Sequence, residues 1–155
     1  MNSDNYASAL KRAMALCSKS EKCISDIENK LRSWKLTSDK ENTAIISTLK
    51  KENFIDEKRY ARSYCMDKFR FNKWGKVKIR AMLRARGLSE EDILYGTDAI
   101  DYDSYRQMIE EELRNRKRSV KAANAFEMKG KLFRFASSRG YEKEYVYELI
   151  ESLTS

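Results

Sequence analysis

The side chains most suited to chemistry lie in one stretch, 54–87, where basic and aromatic residues alternate. The stretch holds eleven lysines and arginines but three acidic residues, and its charge of +8 equals that of the whole chain. Five aromatic residues lie among the charges: Tyr60, Tyr64, Phe69, Phe71 and Trp74. The rest of the chain is electrically balanced. A basic segment in a neutral background indicates an anionic partner that is bound by this region.

Within this stretch, Lys76, Arg80 and Arg84 fall at i, i+4 and i+8 of a predicted helix that has no acidic residue. The positive charges of such a stripe repel one another unless an anion or an acidic surface binds there. The alternative is that the stripe is a solvated helix face. Trp74 is either a packing anchor or a platform for base stacking, and packing is the more common role. Tyr60 and Tyr64 are more typical of a core than of a stacking platform.

Composition argues against an enzyme. The chain has no histidine, which excludes Ser-His-Asp and Cys-His catalysis and histidine metal ligation. It also has no phosphate-binding loop of the GxxxxGK[ST] type. Three cysteines, Cys17, Cys23 and Cys65, lack any metal-binding spacing, so we expect small buried side chains in a reducing compartment. The sequence predicts no cofactor and no metal.

The elements that position these residues are predicted to be helices only. The chain has no proline, five glycines and 36% charged residues, and its apolar residues recur at helical spacing. No apolar run approaches the length of about 20 residues that a membrane-spanning helix needs. Lys11, Arg12 and Lys19 interrupt the apolar residues of the N-terminal segment, whereas a secretory signal has an uninterrupted apolar stretch. We therefore expect a cytoplasmic protein with no membrane contact.

An internal repeat organises the helices. The segment IENKLRSWKL (27–36) lies 52 residues before IRAMLRARGL (79–88), and LFRFASSRGY (132–141) lies 53 residues after it. Matched apolar positions at this spacing indicate three units of about fifty residues. The predicted fold is an elongated all-α tandem array of three three-helix repeats, at 1–52, 53–100 and 101–155, stacked on one another.

Local signals predict where individual helices begin and end. Ser18 with Glu21 and Ser38 with Glu41 have the spacing of capping boxes, for helices over about 20–34 and 39–52. Asp56 is a good N-cap residue for the next helix, which we expect to reach about Phe71. We expect Ile55 and Tyr60 to form a hydrophobic staple at this helix start. In the helix that follows, we expect Ile79, Met82 and Leu83 to pack inward. Gly87 is predicted to be left-handed after that helix, and Ser89 to be the N-cap of the next one.

The third predicted repeat opens with a helix that carries Tyr105, Ile109 and Leu113 on one face. A second basic cluster, RNRKRSVK (114–121), closes that helix. We expect the next helix over about 122–138, ending at Gly140 and Tyr141, and a last one over about 142–153.

Two motifs, FIDEKRYARSY (54–64) and KWGKVKIRAMLRARGLSEEDI (73–93), together with the repeat, resemble the RecX family of bacterial regulators of the RecA recombinase. The family's phenylalanine–isoleucine–aspartate turn is matched at Phe54, Ile55 and Asp56. The Arg-Tyr-Ala pattern that follows is matched at 59–61, and the Arg/Lys-Gly-Ile/Leu closure at 86–88. In the first repeat, Lys35 stands where the family has the closing glycine.

The resemblance implies a non-enzymatic modulator that binds the RecA filament on single-stranded DNA, and we expect a monomer. Members of the family typically inhibit the ATPase and strand exchange of RecA in homologous recombination, DNA repair and the SOS response, and several also bind DNA directly. The candidate recombinase- or DNA-binding residues are Lys58, Arg59, Arg62, Lys73, Trp74, Lys76, Arg80 and Arg84. Two alternatives remain: a helical nucleic-acid-binding protein that acts directly on single- or double-stranded DNA, and a protein scaffold whose charge serves solubility.

Overall fold

The computed structural model describes residues 3–155 and is helical throughout. That part of the chain contains nine α-helices and no strand, as the sequence predicted for an all-α helical repeat. The helices are α1 Ser3–Lys19, α2 Ile24–Trp34, α3 Asp39–Lys51, α4 Glu57–Asp67, α5 Lys76–Ala85, α6 Glu90–Asp98, α7 Tyr102–Ser119, α8 Ala125–Arg139 and α9 Lys143–Thr154. A π-helical turn, Lys68–Asn72, continues α4.

The chain divides into two compact units. The first unit contains the chain up to Ser63 together with Leu83–Gly96, and the second contains Tyr64–Met82 and Thr97–Ser155. The boundary between them falls inside α4 and inside α5. The compact units therefore share the residues of the predicted middle repeat, and the repeat bounds at 1–52, 53–100 and 101–155 stay predictions.

In the first unit, α1, α2 and α3 pack against one another around an apolar cluster. The buried members of the cluster are Ala9, Ala13, Ile27, Leu31, Ile45, Ile46, Leu49 and Ile55. The predicted capping box of α3 is confirmed, because Ser38 Oγ accepts from the Glu41 N–H at 3.2 Å and Glu41 Oε1 accepts from the Ser38 N–H at 3.0 Å. This reciprocal pair satisfies two backbone donors at the helix start.

The capping box predicted for Ser18 and Glu21 is wrong. Ser18 belongs to α1, where its hydroxyl donates to the Met14 carbonyl oxygen at 3.0 Å, four residues back. A serine inside a helix can donate in this way to the carbonyl oxygen four residues back, and here α1 continues to Lys19. Helix α2 begins instead at Ile24, and the Asp26 carboxylate accepts from the Cys23 N–H at 3.2 Å.

In the second unit, α7, α8 and α9 also pack against one another. The predicted apolar face of α7 is confirmed, since Tyr105, Ile109 and Leu113 are all fully buried. Helix α8 ends where expected, at Gly140, and the buried Val146 and Ile150 lie on α9. Their burial gives this unit its own apolar core.

The repeat register is confirmed by burial. Its equivalent pairs Ile27/Leu31, Ile79/Leu83 and Leu132/Ala136 are each no more than 1% exposed. The backbone repeats as well: Lys35, Gly87 and Gly140 have φ of +56°, +83° and +82°. A left-handed residue therefore ends α2, α5 and α8 alike, and the first repeat keeps this conformation although it has lysine there.

Two expectations about α4 and α5 were wrong in detail. Met82 is 36% exposed, because Ile79 and Leu83, at i and i+4, already form the buried face of α5. Helix α4 ends at Asp67, and its predicted continuation to Phe71 follows the wider π-helical path, which leaves Phe71 77% exposed. The hydrophobic pattern indicated a helix here but carried no information on the type of turn.

We expect Leu83→Ala to lower the free energy of unfolding by about 2–5 kcal/mol, because the side chain is fully buried. Met82→Ala is the matched control on the same helix and is expected to cost less than about 1 kcal/mol. Urea denaturation followed by circular dichroism measures both. Equal losses in the two variants would contradict the buried register of α5.

The left-handed positions give a second prediction with opposite signs. Lys35→Gly is expected to stabilise the protein by about 0.5–1 kcal/mol, because a lysine at positive φ is strained and a glycine is not. Gly87→Ala is expected to destabilise by about 1 kcal/mol through backbone strain alone, since no atom lies within 4 Å of the added Cβ. Denaturation midpoints of the two variants that shift in the same direction would contradict this prediction.

Candidate functional site

Six basic residues follow one another over Lys68–Arg80, which we call the basic segment. It comprises the π-helical turn, the loop 73–75 and the first half of α5, all within the second unit. Its cations are Lys68, Arg70, Lys73, Lys76, Lys78 and Arg80. None of these six side chains forms an ion pair with a carboxylate within residues 3–155. The segment is therefore a local excess of positive charge.

The start of α5 is fixed by backbone hydrogen bonds from the other end of the same unit. The N–H of Gly75 donates to the Arg139 carbonyl oxygen at 2.7 Å, and that of Val77 donates to the Gly140 carbonyl oxygen at 3.0 Å. The N–H of Lys76 donates to the Tyr105 hydroxyl oxygen at 2.7 Å. These donors would otherwise form an anion site at the helix N-terminus. Because they are occupied, anion binding here falls to the side chains.

Two glycines allow this close approach of the backbones. A Cβ on Gly75 would overlap the carbonyl group of Gly140, and a Cβ on Gly140 would overlap the backbone of Lys78. Gly140 additionally has φ of +82°, a conformation that side chains disfavour. Both positions therefore require glycine, the second for two independent reasons.

Tyr105 lies beneath the basic segment and is fully buried. Its hydroxyl donates to the Glu142 carboxylate while it accepts from the Lys76 N–H. Its ring packs against Phe69, with centroids 6.1 Å apart, and the Lys76 ammonium lies 4.8 Å from the ring centroid. Burial, assisted by Glu142, raises the pKa of Tyr105 far above its usual value, which keeps the hydroxyl protonated as a donor.

The loop before α5 is held by two side chains from the end of α8. The Tyr141 hydroxyl donates to the Lys73 carbonyl oxygen at 2.7 Å, and the Arg139 guanidinium donates to the same oxygen at 3.4 Å. Arg139 also pairs with Glu112, with N and O 2.9 Å apart. These contacts support the positive φ of +57° at Lys73 and direct its side chain to solvent.

Trp74 is half-buried and organises the cations around it. Its ring meets Tyr64 edge-on, with centroids 6.5 Å apart. The ammonium groups of Lys68 and Lys78 lie 4.8 Å and 4.4 Å from the centroid of the indole ring. Cation–π attraction holds both charges there. This arrangement favours the packing role of Trp74, because a stacked base would have to displace an ammonium group.

The predicted residues of the first unit have a different environment. Lys58 pairs with Glu91 at 2.9 Å, Arg59 with Glu21 at 2.6 Å, and Arg84 with Glu90 at 2.6 Å. Arg59 also donates to the Asn53 carbonyl oxygen at 3.0 Å, which makes it part of the turn before α4. Each of these three charges is already compensated within the protein.

Arg62, also in the first unit, is exposed and forms no ion pair within the described residues. The eight predicted residues thus fall into two groups. Lys58, Arg59 and Arg84 are paired with carboxylates. The other group contains Trp74, which is uncharged, and the cations without a carboxylate partner, which are Arg62, Lys73, Lys76 and Arg80. Lys73, Trp74, Lys76 and Arg80 lie together in the basic segment. Sequence reasoning missed Tyr105, Arg139 and Tyr141, which hold that segment in place.

The cysteines offer little reactivity. Cys23 and Cys65 are buried and Cys17 is half-buried, all as free thiols. Burial raises the pKa of Cys65 to about 12, so that its thiolate is scarce at neutral pH. Over residues 3–155, no three potential acidic or cysteine ligands come together as a metal site. In the same part of the chain, no helix has the length and apolar character needed to cross a membrane.

Tyr105→Phe tests the support of the basic segment. We expect it to cost about 1–3 kcal/mol at neutral pH, because the Lys76 N–H and Glu142 lose their partner. The raised pKa means that the folded protein holds this proton more tightly than the unfolded chain does. The contribution is complete below the unfolded pKa of about 10 and is lost as the pH rises above it.

Urea denaturation at about pH 8 and about pH 11 measures both effects of this substitution. The variant should lose less stability than the unsubstituted protein between the two pH values, since one raised tyrosine pKa has been removed. Tyr147→Phe, at an exposed position on α9, is the matched control. Identical pH dependence in all three proteins would contradict the proposed role of Tyr105.

Comparison with known proteins shows which family the chain resembles. A family model described as the second three-helix domain of RecX matches residues 56–94. The regulatory protein RecX of Clostridium botulinum is 28% identical over 144 residues, which cover 84% of this chain and 66% of that protein. The RecX of Clostridium acetobutylicum is 29% identical over 156 residues, which cover 98% of this chain and 72% of that protein.

Two crystal structures show the same fold. One of a regulatory protein RecX superposes with a TM-score of 0.86 at 23% identity, covering 96% of this chain and 74% of that one. The RecX of Lactobacillus salivarius superposes with a TM-score of 0.79 at 19% identity and covers 98% of both chains. The sequence relatives, the matched domain and the shared all-α repeat agree, and together they support the RecX family for this chain.

Proposed function

We propose that the protein binds the RecA recombinase on its single-stranded DNA filament and inhibits ATP hydrolysis and strand exchange. It acts as a non-enzymatic regulator of homologous recombination and DNA repair, in the cytoplasm. The observation that carries the proposal is the basic segment of a RecX-family chain, in which six cations stand without a carboxylate partner.

The electrostatics support an anionic partner. Like charges that lie close together on a folded surface raise its free energy, and a bound anion relieves that repulsion. Lys58, Arg59 and Arg84 gain little from such a partner, because each already has a carboxylate. The attraction is concentrated on the basic segment, where every cation is uncompensated.

The anchoring of the segment supports tight binding. Its backbone is fixed at Gly75 and Val77 by hydrogen bonds, and Lys68 and Lys78 are held over the Trp74 ring. Groups that are ordered before binding lose less conformational entropy when the complex forms. A preorganised array of this kind suits a regular, repeating surface such as a filament.

Direct binding to DNA is the second candidate. The observation that favours it is the combination of Trp74 and Tyr64 with unpaired cations, which is typical of surfaces that bind single strands. The ammonium groups over Trp74 weigh against stacking, so that phosphate contacts would dominate. The two candidates differ in whether the recombinase itself is needed.

A pull-down with RecA from the same organism, with and without single-stranded DNA, separates them. Capture of RecA without DNA, together with inhibition of its ATPase at saturating DNA, supports the recombinase as the partner. Binding to DNA alone, with the RecA ATPase unaffected once DNA is in excess, would contradict the recombinase as partner and support direct DNA binding.

The contribution of the basic segment is tested by Lys73→Ala, Lys76→Ala and Arg80→Ala in one protein. We expect this variant to bind the nucleoprotein filament at least about tenfold more weakly, since hydrogen bonds to charged groups contribute about 1.5–3 kcal/mol each. The matched control replaces Lys11, Lys40 and Lys143, which are exposed and also lack carboxylate partners. The control should retain the affinity and the ATPase inhibition of the unsubstituted protein.

The salt dependence identifies the anion. Each lost phosphate contact should reduce the slope of log affinity against log salt by about 0.7–0.9. An acidic protein surface would give weaker binding without this stepwise change. Equal inhibition of the recombinase ATPase by the variant and the unsubstituted protein would show that the basic segment is only a solvated face.

A further inference from the structure

A second cationic feature lies in the second unit, in an open cleft between the end of α7 and α8. The cleft has a volume of about 710 Å³ and no acidic residue in its lining. Five basic side chains line it: Arg116, Lys121, Lys131, Arg134 and Arg139. Its volume is in the range of small-molecule sites, but its charge excludes cations and disfavours apolar ligands.

The charges of the cleft are only partly compensated. Arg139 pairs with Glu112 at 2.9 Å, and Lys131 pairs with Glu127 at 3.2 Å. The side chains of Arg116, Lys121 and Arg134 form no ion pair within the described residues. The cleft thus keeps an excess of three positive charges around a concave space.

The aromatic residue of the cleft is already covered by cations. The guanidinium carbons of Arg116 and Arg139 lie 5.1 Å and 4.8 Å from the centroid of the Phe135 ring. Cation–π contact fixes both guanidinium groups and leaves the ring less available to a base. Recognition in this cleft therefore depends on charge and hydrogen bonding more than on stacking.

We propose that this cleft binds a short phosphoanhydride chain, as found in a nucleoside triphosphate or in inorganic polyphosphate. Three uncompensated cations match a ligand with several negative charges, and the volume exceeds what one phosphate group fills. Arginine is suited to such a ligand because its planar donors bind phosphate oxygens in a bidentate manner. The concave form favours a compact ligand over an extended one.

Isothermal titration calorimetry on the full chain tests the proposal, with ATP and inorganic tripolyphosphate as probes in the absence of magnesium. Both should bind saturably with one site per chain and compete with each other. Tighter binding of ATP identifies a nucleotide as the source of the phosphate chain, and tighter binding of tripolyphosphate identifies the inorganic polymer. The titration uses no recombinase, so it is independent of the function proposed above.

The combined variant Arg116→Ala, Lys121→Ala and Arg134→Ala should bind the probes at least about tenfold more weakly, because three charge-assisted contacts are removed. Lys11→Ala, Lys40→Ala and Lys143→Ala together remove the same charge elsewhere and should leave the affinity unchanged. Arg116→Lys alone keeps the charge but loses the planar donors, and should weaken binding less than the combined variant does. Circular dichroism and thermal unfolding establish that each variant is folded.

Three outcomes would overturn the proposal. The first is the absence of saturable binding of either probe. The second is an equal loss of affinity in the cleft variant and in the control variant, which would indicate a response to net charge alone. The third is that binding of a short thymidine oligonucleotide depends on the three cleft cations while binding of ATP and tripolyphosphate does not. The cleft would then be a nucleic-acid contact.

Discussion

The contact between the backbones of Gly75 and Gly140 is the constraint on which the arrangement of the second unit depends. It joins the start of α5 to the end of α8 through two backbone hydrogen bonds, and a Cβ at either glycine would overlap the facing chain. The contact also satisfies backbone donors that would otherwise be exposed at the helix start. As a result, the basic segment is presented by a fixed backbone, and its chemistry is left to its side chains.

The difference between paired and unpaired cations then determines which charges are available to a partner. Exposed ion pairs such as Lys58–Glu91 contribute little to stability, but they neutralise the local field. The basic segment has no such compensation. A count of charges along the chain cannot distinguish the two situations, because Glu90 and Glu91 belong to another helix and reach their partners only in the fold.

What could be predicted from the sequence is what depends on local periodicity. The buried pairs of the repeat follow from helical spacing and from matches about fifty residues apart, and the Ser38 capping box and the left-handed Gly87 follow from patterns within a few residues. The capping box predicted for Ser18 was wrong because the same local pattern is compatible with a helix interior and with a cap. The hydrogen bonds from Tyr105 to Lys76 and from Tyr141 to Lys73 join residues far apart in the chain, and no spacing rule identifies them.

The π-helical turn Lys68–Asn72 has an evolutionary consequence. The helix ends with this turn, because Lys73 has φ of +57° and the chain then enters the loop 73–75. A π-helical hydrogen bond encloses one residue more than an α-helical one does, so the gain or loss of one residue would change the type of this last turn. Such a change would be absorbed before the loop and would leave the anchored start of α5 in place.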